Sequence, residues 1–211
     1  MPMRTATTTR VAALLAAAAL TTGLAGCGGD SDSEPAAVTS TAANGDVYDA
    51  ADVTFATDMI PHHAQAVQMV EMTRGRHLDP EVALLADEIR TAQVPEVEQM
   101  TDWLTAWDVD VPATSLDHAN AEADGHHMQG MEGTEDMPGM MSADELDHLD
   151  AASGADFQRR WLEMMIEHHR GAVEMARTEL ADGHFPAATR LAKAIERSQQ
   201  DQIERMQGLL G

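Results

Sequence analysis

The chain has 211 residues, enough for one domain with additional segments. It contains 13 Lys and Arg against 36 Asp and Glu, and the formal net charge of -23 excludes binding to nucleic-acid phosphates because like charges repel. Its single cysteine excludes an internal disulfide and every zinc or iron–sulfur site that needs two or more thiolates. Few aromatic residues and abundant Ala, Leu, Met, Glu and Gln favour an all-α protein.

The first 26 residues have the features of an export signal. Two arginines precede an apolar run from 11 to 20, which is too short to span a bilayer as a permanent helix. The Leu-Ala-Gly-Cys sequence that ends at Cys27 resembles a bacterial lipobox. This resemblance implies cleavage before Cys27, lipidation of Cys27 and anchoring to the outer face of the cell membrane. The alternative is an ordinary signal peptide with an incidental cysteine.

A polar segment at 27–48 follows the signal. It is rich in Gly, Ser, Thr, Ala and Asp, and its apolar content up to Asp46 is low. Such a composition predicts a flexible tether that holds the folded part away from the membrane.

An internal repeat organises the folded part, residues 49–211. The segment Met-Ile-Pro-His-His-Ala-Gln-Ala-Val-Gln-Met at 59–69 matches Met-Ile-Glu-His-His-Arg-Gly-Ala-Val-Glu-Met at 165–175, 106 positions later. Each copy is typical of a helical hairpin whose second helix begins at a proline, a residue that suits the first helical turn. We therefore predict a four-helix bundle made of two repeated hairpins, at 49–107 and 153–211.

The segment between the copies, residues 108–152, is polar and acidic. We predict no ordered helix from 108 to 141. Ser142 followed by Glu145 forms the sequence pattern of a capping box, which predicts a short helix from there to about Ala151.

The histidine pairs of the two copies indicate a metal site. On a helical wheel the second histidine of each pair faces inward along the apolar stripe, and the first lies on the flank of that stripe. Neutral imidazole ligates Cu, Zn, Ni and Fe, whereas thioether sulfur selects soft ions, Cu(I) above all. The repeat relation would bring the two pairs together, with Gln93 and Gln199 able to hold the ring orientations. The candidate copper ligands are the four histidines and the methionines that flank them: His62, His63, His168, His169, Met59, Met69, Met165 and Met175.

The segment between the copies carries further candidate ligands. They are two histidines and five methionines: His126, His127, Met128, Met131, Met137, Met140 and Met141. A flexible chain of imidazoles and thioethers can wrap Cu(I) or silver without a preformed cage. For both groups of residues a metal-free alternative exists. The helical histidines could be hydrogen-bonded core residues, and the methionines could fill space or lie in an acidic linker without a task.

Three patterns resemble the domain of unknown function 305 family. They are Met-Ile-x-His-His-x2-Ala-x2-Met at 59–69 and 165–175, Ile-x3-Gln-x2-Glu-Val-x2-Met-x2-Trp-Leu at 89–104, and Met-Pro-Gly-Met-Met at 137–141. The resemblance covers 49–211 and implies a ferritin-like four-helix fold, export and, for some members, copper binding with a role in copper resistance.

The second copy departs from the first at two positions of this pattern. Gln202 and Leu209 stand where the first copy has Glu96 and Trp103. Any site role that depends on the carboxylate of Glu96 is therefore not shared by both halves.

Two other function classes compete with copper binding. A di-iron oxidase or iron store needs two Glu-x-x-His motifs, and only Glu145 precedes a histidine, His148, at that spacing. A metal-free, surface-tethered bundle that binds another protein needs no ligands at all, and whether the chain has a protein partner or forms a homo-oligomer stays open. Catalytic triads and phosphate loops are not apparent. The sequence therefore favours an exported, membrane-anchored copper-binding lipoprotein without an organic cofactor and without enzymatic activity.

Overall fold

The structure is a computed structural model that describes residues 38–114 and 137–211. These residues form a short β-hairpin and five helices: β1 (Ser40–Thr41), β2 (Val47–Tyr48), α1 (Ala50–Glu71), α2 (Pro80–Ala106), α3 (Ala143–Ala151), α4 (Gly154–Asp182) and α5 (Pro186–Leu210). The all-α prediction is confirmed. None of the helices described is both long and apolar enough to cross a membrane. Cys27, His126, His127, Met128 and Met131 lie outside the described residues.

The helices begin where the sequence predicts. α2 and α5 start at Pro80 and Pro186, as expected for a residue that lacks a backbone N–H. α3 opens with the predicted capping box, in which Ser142 accepts from the Glu145 N–H and the Glu145 carboxylate accepts from the Ser142 N–H. A proline in the first turn of α2 and α5 and a capping box at α3 therefore mark these starts.

The four long helices pack as two hairpins. α1 lies against α2, α4 lies against α5, and the main contact between the hairpins is that of α1 with α4. One apolar cluster includes Phe157 and Trp161, and the other includes Met59 and Trp103. The indole of Trp161 donates to the Met69 carbonyl oxygen over 2.9 Å and ties α4 to the end of α1. The histidine pair of each copy lies along its helix between residues of the two clusters.

The end of the predicted tether belongs to the folded domain. Residues 40–48 form the β-hairpin, with Gly45 at a φ of 92°, a backbone angle that glycine adopts without strain. The Tyr48 ring stacks on Trp107 with centroids 4.3 Å apart, and the Trp107 indole donates to Asp46 over 3.2 Å. The predicted tether is therefore wrong for this part, because aromatic stacking and a tight turn attach it to the end of α2.

Candidate metal centre

The four histidines of the two motifs lie at the contact of α1 with α4. All four are fully buried, with 0% exposure. The rings of His62 and His168 meet with centroids 3.8 Å apart and planes inclined by 38°. The wheel put these two residues on a flank, but the structure buries them because α1 and α4 face each other along that flank.

The other two histidines are hydrogen-bonded to the second helix of their own hairpin. Nε2 of His63 lies 2.8 Å from a carboxylate oxygen of Glu96, and Nε2 of His169 lies 2.7 Å from the amide oxygen of Gln202. Glu96 and Gln202 occupy equivalent positions of the repeat. The two rings are thus held in the same way, once by a carboxylate and once by an amide.

The sequence assigned this contact to Gln93 and Gln199, and that assignment is wrong. Both side chains are buried. The amide nitrogen and amide oxygen of Gln93 and the amide oxygen of Gln199 have no hydrogen-bond partner among the described residues. Glu96 and Gln202 lie three positions further along, one turn away on the same helix face, and are hydrogen-bonded to the rings of His63 and His169 instead. The signal that could have identified them is the polar pair Glu96 and Gln202 at matching places in both copies.

The acceptors determine which ring nitrogen carries the proton. Nε2 of His62 lies 3.1 Å from the carbonyl oxygen of Pro138, and a carbonyl or carboxylate oxygen only accepts. With Gln202 accepting through its amide oxygen, Nε2 is the N–H of His62, His63 and His169. The Nδ1 atoms of the neutral His62 and His169 then carry lone pairs. The Nδ1 atoms of all three rings are buried without a partner among the described residues, as are both ring nitrogens of His168.

Burial keeps the rings of His62, His168 and His169 uncharged. Desolvation, reinforced by the neighbouring His63, lowers the pKa of His62 to about 3, and desolvation lowers the pKa of His169 to about 4. The pKa of His168 falls well below 6.5 for the same reason, with His62 as the next cause. At neutral pH these imidazoles are in the form that binds metal ions.

Thioethers lie on both sides of the histidines. Met69 and Met165 are buried in one apolar cluster, and Met59 is buried in the other, against which the partly buried Met175 packs. Each cluster therefore takes one of these methionines from each copy of the repeat. Within 38–114 and 137–211, no group of three or more His, Cys, Asp or Glu side chains is placed to hold a metal ion. A site at the histidines would consequently draw on methionine sulfur as well as imidazole nitrogen.

Residues 137–141, which we call the strap, lie against the same helices. The Gln65 amide donates to the Met141 carbonyl oxygen over 2.8 Å and accepts from the Met141 N–H over 2.7 Å. Met141 is buried, with 7% exposure, and Met137 and Met140 are partly buried. The expectation of a separate flexible linker as far as residue 141 is therefore wrong at this end, because Gln65 clamps the backbone into the core. Gln65 was not among the predicted site residues.

The Glu-x-x-His pair that suggested iron chemistry lies elsewhere. Glu145 and His148 are both exposed on α3, and the Glu145 carboxylate caps that helix. These two side chains do not reach the buried histidines.

Comparison with known proteins assigns the chain to a family. A family model described as a domain of unknown function (DUF305) matches residues 52–210. No curated protein matches.

The crystal structure of a Streptomyces coelicolor DUF305 protein thought to be secreted is 32% identical, with 76% of this chain and 91% of that chain covered and a TM-score of 0.62. A Deinococcus radiodurans DUF305 fragment is 28% identical, with coverages of 77% and 96% and a TM-score of 0.61. The structure of CopM in its Cu(II)-bound form is 31% identical, with coverages of 75% and 95% and a TM-score of 0.58, and CopM has also been solved in Cu(I)-bound and Ag-bound forms. The chain therefore belongs to the DUF305 family.

Proposed function

We propose that this protein is an exported, membrane-anchored lipoprotein that binds Cu(I) outside the cell membrane, for sequestration, resistance or transfer to a partner. The observation that carries the proposal is the set of four buried histidines between two groups of methionines. Five of their ring nitrogens have no hydrogen-bond partner among the described residues. Buried polar atoms are rarely left unpaired, and a bound metal ion would pair them.

The donor set favours a soft ion. Neutral imidazole nitrogen and thioether sulfur suit Cu(I), whereas Mg²⁺ and Ca²⁺ require oxygen ligands and structural zinc sites usually contain two or more Cys thiolates. The chain offers no second cysteine for such a zinc site. The similarity to CopM, solved with Cu(I), Cu(II) and Ag bound, supports the same choice.

The candidate ligands have distinct roles in this proposal. His62 and His168, whose rings meet between α1 and α4, are the central nitrogen donors. His63 and His169 are hydrogen-bonded through Nε2 to Glu96 and Gln202, which leaves their unpaired Nδ1 atoms as alternative donors. Thioether donors come from Met59, Met69, Met165 and Met175. The segment between the repeats, with His126, His127, Met128 and Met131, would capture ions and lead to the strap methionines Met137, Met140 and Met141.

Anaerobic titration of the exported form with Cu(I), in competition with a chromophoric Cu(I) chelator, tests the copper site. We expect tighter binding of Cu(I) than of Zn(II) or Fe(II). The double variant His62→Leu with His168→Leu should lose about 10-fold or more in Cu(I) affinity, because both central nitrogen donors are gone.

The control for this titration is His77→Leu with His148→Leu. It removes two exposed histidines that belong to neither α1 nor α4 and should leave the affinity unchanged. Equal Cu(I) affinity of the wild type and the His62/His168 variant would exclude the helical site. A wild-type chain that binds no Cu(I) would leave the metal-free, protein-binding role as the better description.

The anchoring part of the proposal rests on the sequence around Cys27, and a secreted relative supports export. Cys27→Ser removes the thiol that would carry the lipid, so the variant should lack acyl groups and keep its signal peptide. Mass spectrometry of the N-terminal peptide of both proteins measures both effects. A wild-type protein without acyl groups on Cys27, or a Cys27→Ser protein cleaved at the same place as the wild type, would show that lipidation is not the anchor.

A further inference from the structure

The strap approaches α4 at a place where only glycine fits. A Cβ atom at Gly171 would lie 1.8 Å from the carbonyl oxygen of Pro138, and one at Gly139 would lie 2.6 Å from the carbonyl oxygen of Glu167. Real Cβ contacts of this length do not occur, so the backbones of the strap and α4 touch directly. Gly139 also has a φ of 77°, which an L side chain rarely adopts.

The two residues that seat the strap are equivalent in the repeat. Gln65 in the first copy and Gly171 in the second are 106 positions apart, and each lies three residues after the first histidine of its pair, or less than one helical turn beyond it. Gln65 fixes the Met141 backbone through two hydrogen bonds, and Gly171 leaves room for the backbone of Pro138. Because the strap contacts the two copies differently, the surroundings of His62 and of the equivalent His168 differ.

The strap determines the hydrogen bonding of the His62 ring. The Pro138 carbonyl accepts from Nε2 of His62, whereas the equivalent His168 has no partner at either ring nitrogen among the described residues. Because a neutral imidazole carries one N–H, the strap directs the lone pair of His62 to Nδ1. His168 carries no such restriction.

We propose that the strap is a positioning element of the metal site: Gln65 and Gly171 seat it, and its Pro138 carbonyl holds His62 in the Nε2–H tautomer, so that Nδ1 is the metal-binding atom. The metal-binding clause rests on the proposed function, whereas the tautomer is a property of the apo protein. Partners of this kind, which orient a ligating imidazole through its other nitrogen, typically contribute 10- to 100-fold to metal affinity.

The test uses Gly171→Ala and the matched control Gly208→Ala. Both changes add one methyl group inside a helix, but a Cβ at Gly208 meets nothing within 4 Å, whereas one at Gly171 displaces the strap. In the wild-type apo protein, ¹⁵N-edited NMR of the imidazoles should show His62 as the Nε2–H tautomer. Gly171→Ala should shift His62 toward a tautomer mixture and weaken Cu(I) binding by about 10-fold or more, while Gly208→Ala should change neither.

Gln65→Leu provides a second route if Gly171→Ala does not fold. It removes the clamp on Met141 without adding bulk at α4, and the same change in the His62 signal is expected. An Nδ1–H tautomer in the wild type, or a His62 signal and Cu(I) affinity in Gly171→Ala equal to those of Gly208→Ala, would overturn the proposal. A tautomer change in a protein that binds no Cu(I) at all would support the strap's positioning role and refute the proposed copper function.

Discussion

Replacement of His168 by leucine should stabilise the metal-free protein. Both ring nitrogens of His168 are buried without a hydrogen-bond partner among the described residues. A buried, unsatisfied polar group costs about 1–3 kcal/mol, and leucine of similar size removes that cost. We therefore expect the free energy of unfolding of His168→Leu, measured by urea denaturation at pH 7.5 without metal, to exceed the wild-type value by about 1–3 kcal/mol.

The neighbouring histidine provides the control. His169 is equally buried on the same helix but is hydrogen-bonded to Gln202, so His169→Leu strands a buried amide oxygen. That change should lower the free energy of unfolding by about 1–3 kcal/mol. Opposite signs for two adjacent, equally buried histidines would not be expected if both were hydrogen-bonded core residues.

With Cu(I) bound, the wild type should become more stable than His168→Leu. A ligand that binds only the folded state stabilises it by about 2.7 kcal/mol at a free concentration 100 times its Kd, and thermal melts with Cu(I) should show this for the wild type. In His168→Leu the Cu(I)-induced shift should be reduced or lost. A His168→Leu protein that is less stable without metal, and that keeps the full Cu(I) shift, would make His168 a core residue and not a ligand.

The second large effect concerns the buried carboxyl group of Glu179 on α4, which lies beside Asp52 on α1. Glu179 near the end of α4 is 1% exposed. Within the part of the chain that the structure describes, neither carboxyl oxygen has a hydrogen-bond partner other than the contact it can make with Asp52 when protonated. Asp52 already accepts from the backbone N–H groups of His184, Phe185 and Asp49. Burial, then the hydrogen bond to Asp52 and then the charges of Asp52, Asp49 and Asp182, raise the pKa of Glu179 to about 8.

The raised pKa has a defined effect on stability. The unfolded carboxyl ionises near 4.5, whereas the folded one keeps its proton up to about 8. Between these values the folded state binds more protons, so the free energy of unfolding falls as the pH rises through this window and levels off above it. The slope from this group is at most about 1.4 kcal/mol per pH unit. His62, His168 and His169 act in the opposite direction as the pH falls below about 6.5, because their lowered pKa values make them gain a proton on unfolding.

The variant Glu179→Gln isolates the carboxyl contribution. A glutamine amide can donate to Asp52 at every pH, as the protonated glutamic acid does, so the variant should match the wild type near pH 5 and exceed it at pH 8. Urea denaturation of both proteins at several pH values gives this difference, in which the histidine contributions cancel. Glu174→Gln, which changes an exposed carboxylate on the same helix, should show no such pH-dependent difference. A constant difference between Glu179→Gln and the wild type from pH 5 to pH 8 would contradict the shifted pKa.

Local physical chemistry explains why the sequence predicted the helices so well. Pro80, Pro186 and the Ser142–Glu145 capping box act on their own helical turns, and no distant residue is needed to place them. The 106-residue repeat adds that two similar hairpins exist, and the spacing of apolar residues places the second histidine of each pair on the apolar stripe. The family resemblance rests on the same motifs and is confirmed by the match over 52–210.

The hydrogen bonds at the histidines depend on the distance between helix axes, which periodicity does not contain. A shift of one turn along α2 and α5 separates the predicted partners, Gln93 and Gln199, from the actual ones, Glu96 and Gln202. The wheel likewise treats each helix alone, so it left His62 and His168 on a flank that becomes fully buried only when α1 meets α4.

By itself, the sequence of this protein determined the all-α class, the repeat, the helix starts and the family, because each depends on neighbouring residues or on pattern. Only the tertiary structure decided that Gln65 clamps a backbone 76 positions away and that Gly171 makes room for the same strap. Contacts of this kind form between segments whose own propensities say nothing about each other. Their register follows from how the helices pack, and in this protein that register decides which nitrogen of His62 carries the lone pair.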